Sequence, residues 1–136
     1  VVNTPLITTT HPDDTGHPPL LDPAALDSLL DSLESDESAL DGFVARFMGH
    51  WPARLQRAEL SIRSLDTVAA QDCALSIKVA AQMVGAMQLA AYGAALESLA
   101  RTGRLHEAEP FLPALQAVGD ATLRELAVLR KLDLAA

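Results

Sequence analysis

The residues with the greatest chemical reach lie in one stretch, Asp72 to Ala86, which reads DCALSIKVAAQMVGA. At helical spacing, positions three and four apart share a face. Ala70, Ala74, Ile77, Ala81 and Val84 then form a small, apolar stripe suited to close packing between helices. Gln71, Leu75, Lys78, Val79, Gln82 and Ala86 form the opposite stripe. It mixes a lone cation with aliphatic side chains, and it is the expected functional face. The ammonium of Lys78 can neutralise an anion, but Leu75 beside it has no lone pair and cannot act as a nucleophile.

The other side chains capable of chemistry are scattered. Cys73, the single cysteine, falls nearer the packing stripe and reads as a small buried apolar residue. Ser76 has no histidine in its motif. His11 and His17 lack the Cys or carboxylate geometry of a metal site and read as exposed tail. His50, next to Trp51, reads as a partly exposed structural histidine, and His106, in a turn, as a surface residue. Gly85 and Gly93 fit neither nucleotide-binding loop pattern. No cluster has zinc-ligand spacing, so no enzymatic activity, cofactor or metal is expected.

The stretch around Lys78 resembles the central helix of histidine-phosphotransfer (HPt) domains, helical modules that relay phosphoryl groups between receiver domains. Their motif runs His, any residue, apolar, Lys, Gly, small residues, then Gly ten positions after the His. Ile77 fits the apolar position, Lys78 the lysine, Ala80 and Ala81 the small run, and Gly85 the final glycine. Leu75 stands at the acceptor histidine and Val79 at the following glycine. Downstream, Leu96-Glu97 with Arg101 and Gly103 is similar to the family's LE…R-x-G segment. Upstream, Phe47, Pro52 and Leu55 match its second-helix pattern. The resemblance spans roughly residues 21–126.

That resemblance implies an all-α fold, an antiparallel four-helix bundle with an additional N-terminal helix. It also implies a degenerate site. A relay histidine works through a nucleophilic imidazole nitrogen beside a cation, with open space for the phosphoryl group. Leu75 removes the nucleophile and Val79 fills the space. The expected role is a phosphotransfer-incompetent adaptor or sequestering module. It would dock a response-regulator receiver domain or a histidine kinase through Gln71, Leu75, Lys78, Val79, Gln82 and Ala86. Three alternatives stand beside it. The chain is a structural bundle that self-associates through Leu75 and Val79, or a phosphotransfer domain whose histidine Leu75 has replaced, or a relay through His50 or His106.

Around that helix, 136 residues suffice for one domain, rich in Ala and Leu and poor in aromatics, which favours helices. Residues 1–20, with Pro, Thr and no helical period, read as a disordered tail or linker. Residues 21–136 read as the bundle. Asp22-Pro23 starts a first helix whose Leu26, Leu29, Leu30 and Leu33 face inward. A second helix over 38–65 carries Phe43, Phe47, Trp51, Leu55, Ala58 and Ile62 as a core stripe, with a kink expected at Pro52 near Met48. Asp66 or Thr67 caps the third helix, and Gly85 ends it and admits a second backbone. A fourth runs over 87–102 with Leu89, Tyr92, Leu96 and Leu99 inward and Gly103 as its cap. A last helix packs through Leu112, Leu115, Val118, Thr122, Leu126 and Leu129, with Arg130 and Lys131 complementing its dipole.

Net charge is −8, and residues 1–45 hold nine acids and no Lys or Arg, whereas residues 46–136 hold nine acids and ten bases. The acids read as solvated surface, and no basic stripe suited to nucleic acid is evident. No apolar run is long enough to span a bilayer. A lone cysteine, with no basic and apolar signal-peptide pattern in the first residues, leads to the expectation of a cytoplasmic location.

Overall fold

A computed structural model describes residues 18–133. Most of the expected tail, with His11 and His17, lies outside the described residues. The described chain is all-helical, without a strand. In order come α1 (Pro23–Ser32), α2 (Glu37–Arg63), α3 (Thr67–Met83), α4 (Met87–Arg101), two short 3₁₀ turns (Leu105–Glu107 and Glu109–Phe111) and α5 (Leu112–Arg130). Helices α2 to α5 form the antiparallel four-helix bundle, and α1 packs across α2 and α3.

Three of the helix starts follow one local rule. A side-chain oxygen just before the first turn accepts from a backbone N–H that has no partner inside the helix. Asp22 accepts from Ala24 at 3.0 Å, Asp36 from Ala39 at 3.1 Å and Asp66 from Ala69 at 3.1 Å. Part of the N-terminal acid excess is therefore structural. Helix α4 has no side-chain cap. Its start is served by the chain leading into α1: Met87 N–H donates to the Leu20 carbonyl at 3.1 Å, and the Gln88 side chain donates to the Pro18 carbonyl at 3.0 Å. Residues 18–20, expected in the tail, thus lie on the α3–α4 turn.

Gly85 completes that junction. Its φ is +77°, and an added Cβ would stand 2.5 Å from the Asp22 carbonyl oxygen. In return the Asp22 N–H donates to the Gly85 carbonyl at 2.8 Å. Only a residue without a side chain accepts both the left-handed backbone and this approach.

The core is filled by the predicted stripes. Ala70, Ala74, Ile77, Ala81 and Val84 are all buried. From α2, Leu40, Val44, Phe47, Met48, Trp51, Ala58 and Ile62 are buried, and from α4 Leu89, Leu96 and Leu99. Helix α2 remains one helix through Pro52, whose missing N–H does not end it. Two glycines set helix spacing: Gly93 brings α4 against the α3 backbone at Ala74 and Lys78, and Gly119 brings α5 against the Trp51 indole.

Two expectations need correction, and a third gains a further role. Ala86 belongs to no exposed face: it lies past the end of α3, immediately before α4, and is 0% exposed. Helical periodicity does not extend through the turn at Val84–Gly85. Leu129 is 46% exposed rather than inward. The buried seam of α5 runs through Leu115, Gly119, Thr122 and Leu126, and its next position, four residues on, is Arg130. Arg130 does more than complement a dipole. Its guanidinium reaches the start of α2, donating to Glu37 at 2.6 Å and Asp41 at 2.7 Å. These bonds to two carboxylates hold Arg130 more firmly protonated than a free arginine and tie the last helix to the second.

Candidate functional site

Helix α3 is buried on one side by α4 and leaves a strip of its other side uncovered. Leu75 is 43% exposed, Val79 47% and Met83 45%. Gln82 is exposed and Gln71 half-buried. Five of the six expected face residues, Gln71, Leu75, Lys78, Val79 and Gln82, therefore keep accessible surface, and only Ala86 drops out. Large aliphatic side chains left half in water retain much of their burial free energy for a partner.

Lys78 is not a freely solvated lysine. Its Nζ lies 3.4 Å from Oε1 of Glu97 on α4, and its side chain is 28% exposed. The pair crosses the α3–α4 seam close to Gly93, whose missing side chain lets the two backbones meet at Lys78. Glu97 therefore aims the ammonium along the bundle surface, a role that an isolated lysine in a motif does not reveal.

A groove of about 340 Å³ runs between α2 and α3 beside this strip. Phe43, Phe47, Ala80, Val79 and Met83 form its apolar lining, and Arg46, His50, Arg54 and Ser76 its polar one. Arg54 Nε donates to Ser76 Oγ at 3.4 Å, a long contact. Its Nη1 is sealed from solvent and meets no acceptor among the described residues. Burial, and then the charge of Arg57, make Arg54 easier to deprotonate than an ordinary arginine. The α2 polar residues were missed as a group. Arg46, His50 and Arg54 recur at four-residue helical spacing, which is the available signal, but only the packing of α2 on α3 joins them to Ser76 and Val79.

His50, expected to be partly exposed, is exposed and lines the groove. His106 is exposed in the first 3₁₀ turn, 3.8 Å from Glu107 and remote in sequence from the groove-lining residues. Among the described residues no cluster of His, Cys, Asp and Glu is placed to hold a metal ion, and no helix is long and apolar enough to cross a membrane.

Cys73 is buried, as expected, and its thiol donates to the Arg54 carbonyl at 3.4 Å. Burial pushes its ionisation above the ordinary thiol range, outweighing the opposing pull of Arg57 and Arg54. Alkylation of the native protein at mildly alkaline pH is expected to be much slower than in denaturant, followed by mass spectrometry. Equal rates would show the thiol to be accessible. Because the unfolded thiol ionises first, this group lowers stability as pH rises through and beyond the ordinary thiol pKa.

No family model and no curated protein matches the sequence. Among solved structures, the fold is similar to histidine-containing phosphotransfer protein B (HptB) from Pseudomonas aeruginosa PAO1, with a TM-score of 0.75 and 25% sequence identity. The similarity covers 83% of this chain and 96% of that one. The all-helical architecture matches the four-helix bundle of that phosphotransfer protein.

Proposed function

We propose that the chain is an HPt-like signalling module of a two-component phosphorelay that docks a receiver domain or a histidine kinase without carrying the phosphoryl group at residue 75. One observation carries this reading. On a fold similar to HptB, the middle of α3 presents Leu75 and Val79 to solvent beside a positioned Lys78. In this reading, which the motif resemblance supports, Leu75 stands at the acceptor position and Val79 at the clearance position. An aliphatic carbon has no lone pair to attack phosphorus, and a branched side chain occupies the approach. What remains is an apolar strip with a cation at its edge, which suits docking.

The half-exposed Leu75 and Val79 each have about 1 kcal/mol of burial free energy left to contribute, before the losses of association. Binding thus depends on the strip as a unit, and a charge placed in it is more damaging than its truncation. In this reading the protein acts in the cytoplasm as an adaptor, or sequesters a response regulator from its relay.

Titration of the cognate receiver domain by calorimetry tests the reading. Wild-type chain is expected to bind, and Leu75→Asp to weaken binding by about 10-fold or more, since a carboxylate is then buried unpaired. Absence of binding, or binding indifferent to Leu75→Asp, would reject it. The exposure of Leu75, Val79 and Met83 along α3, with Val68 beyond Asp72, also favours a second reading, self-association through this strip. Light scattering over a concentration series separates the two: a stable dimer broken by Leu75→Asp favours the oligomer.

A further inference from the structure

The α2–α3 groove gathers positive charge in an acidic protein. Residues 46–58 contain three arginines, one histidine and no acid. Three of those four side chains, Arg46, His50 and Arg54, line the groove, and no carboxylate joins them. Three arginines elsewhere in the bundle have carboxylate acceptors: Arg130 is held by Glu37 and Asp41, Arg104 by Glu107 and Arg63 by Glu109. Among the described residues, Arg54 has only a long contact to the Ser76 hydroxyl, and its Nη1 meets no acceptor. A guanidinium withdrawn from water without an anion is unfavourable, and an oxyanion with several acceptor oxygens relieves that cost.

We propose that Arg46, His50, Arg54 and Ser76 form a binding site for a phosphoryl or phosphate dianion, which the protein recognises without becoming phosphorylated. Arg54 is the central donor, because it is the most enclosed and its pairing is incomplete. Arg46 and His50, one turn before and at the groove's rim, close it from the α2 side. The Ser76 hydroxyl contributes from α3. The apolar wall of Val79 and Met83 is shared with the docking strip, so an anion carried on a docked protein would enter here. That source rests on the docking reading above; the site itself does not. Several donors facing one groove suit a tetrahedral oxyanion better than a carboxylate, which offers two oxygens.

The test is a titration of the ¹⁵N-labelled full chain with inorganic phosphate, with acetate and chloride at matched ionic strength as controls. The Arg54 Nε–H and the His50 ring are monitored. Saturable shifts with phosphate are expected, and Arg54→Gln should weaken the affinity about tenfold or more. Arg46→Gln, at an exposed position, should act in the same direction, with far-ultraviolet circular dichroism establishing that each variant is folded. Shifts that do not saturate, equal affinity for acetate, or affinity unchanged in both variants would overturn the proposal.

A second arm decides the source. Binding of a receiver domain is compared in its free and beryllofluoride-bound forms. A preference for the beryllofluoride form that Arg54→Gln abolishes supports a phosphoryl group carried on the partner. Saturable phosphate binding without such a preference supports free phosphate. Receiver binding that is lost in Leu75→Asp, with no phosphate binding, leaves docking intact and rejects the anion site.

Discussion

Trp51→Ala is expected to destabilise the bundle by about 3–5 kcal/mol, the range for removing a large buried aromatic side chain. Trp51 is 2% exposed, and its indole lies over Gly119 of α5. A Cβ at Gly119 would stand 2.6 Å from the indole nitrogen, so the ring occupies the space that a side chain on α5 would otherwise fill. Removing the ring leaves a hollow between α2 and α5 that neither Gly119 nor a rigid helix can close. Domains of this size are stable by only about 5–15 kcal/mol, so the loss is a large part of the whole. Urea unfolding followed by far-ultraviolet circular dichroism measures it. Trp51→Phe keeps a ring in place and removes an indole N–H that meets no acceptor among the described residues, so it should lose less. A Trp51→Ala protein within about 1 kcal/mol of wild type would contradict this packing.

Gly93→Ala is expected to cost about 3 kcal/mol, at the upper end for adding one carbon to a packed core. The new Cβ would stand 2.8 Å from the Lys78 nitrogen and 3.0 Å from the Ala74 oxygen. Both are backbone atoms of α3, which cannot rotate aside as a side chain can. The helices must separate instead, along a buried seam that includes Ala74, Ile77, Leu89 and Leu96. The gain in helix propensity, about 1 kcal/mol, does not offset this. Gly49 provides the control: nothing lies within 4 Å of its added Cβ. Gly49→Ala should therefore stabilise the exposed part of α2 by roughly 0.5–1 kcal/mol. The same chemical change thus has opposite signs at two helical glycines. Gly93→Ala should also disturb the Lys78–Glu97 pair, which spans the same seam.

Much of the architecture is legible in the sequence. Asp22 and Asp66 as helix starts, Gly85 as a close-approach turn, and the Ala70–Val84 stripe as core all follow from interactions within a few residues. A cap needs only its own first turn, and an apolar stripe needs only a 3.6-residue period. The outward placement of Leu75 and Val79 is legible for the same reason. Where the period was carried across a turn it failed, as at Ala86. At the end of α5 the apolar pattern chose Leu129 for the buried seam, and the structure leaves it 46% exposed.

The chain's own order of residues therefore determined which segments are helices, where they begin and which stripe of α3 turns inward. Tertiary structure alone decided what meets what. Glu37 and Asp41 hold Arg130 from about ninety positions away in sequence. Gly119 yields to Trp51, Glu97 aims Lys78, and Arg54 comes to share a groove with Ser76 and Val79. The physical reason is range. Backbone hydrogen bonding and helical periodicity act over one or two turns and are written in neighbouring residues. Steric fit and ion pairing between helices depend on how distant segments approach, which no local spacing encodes.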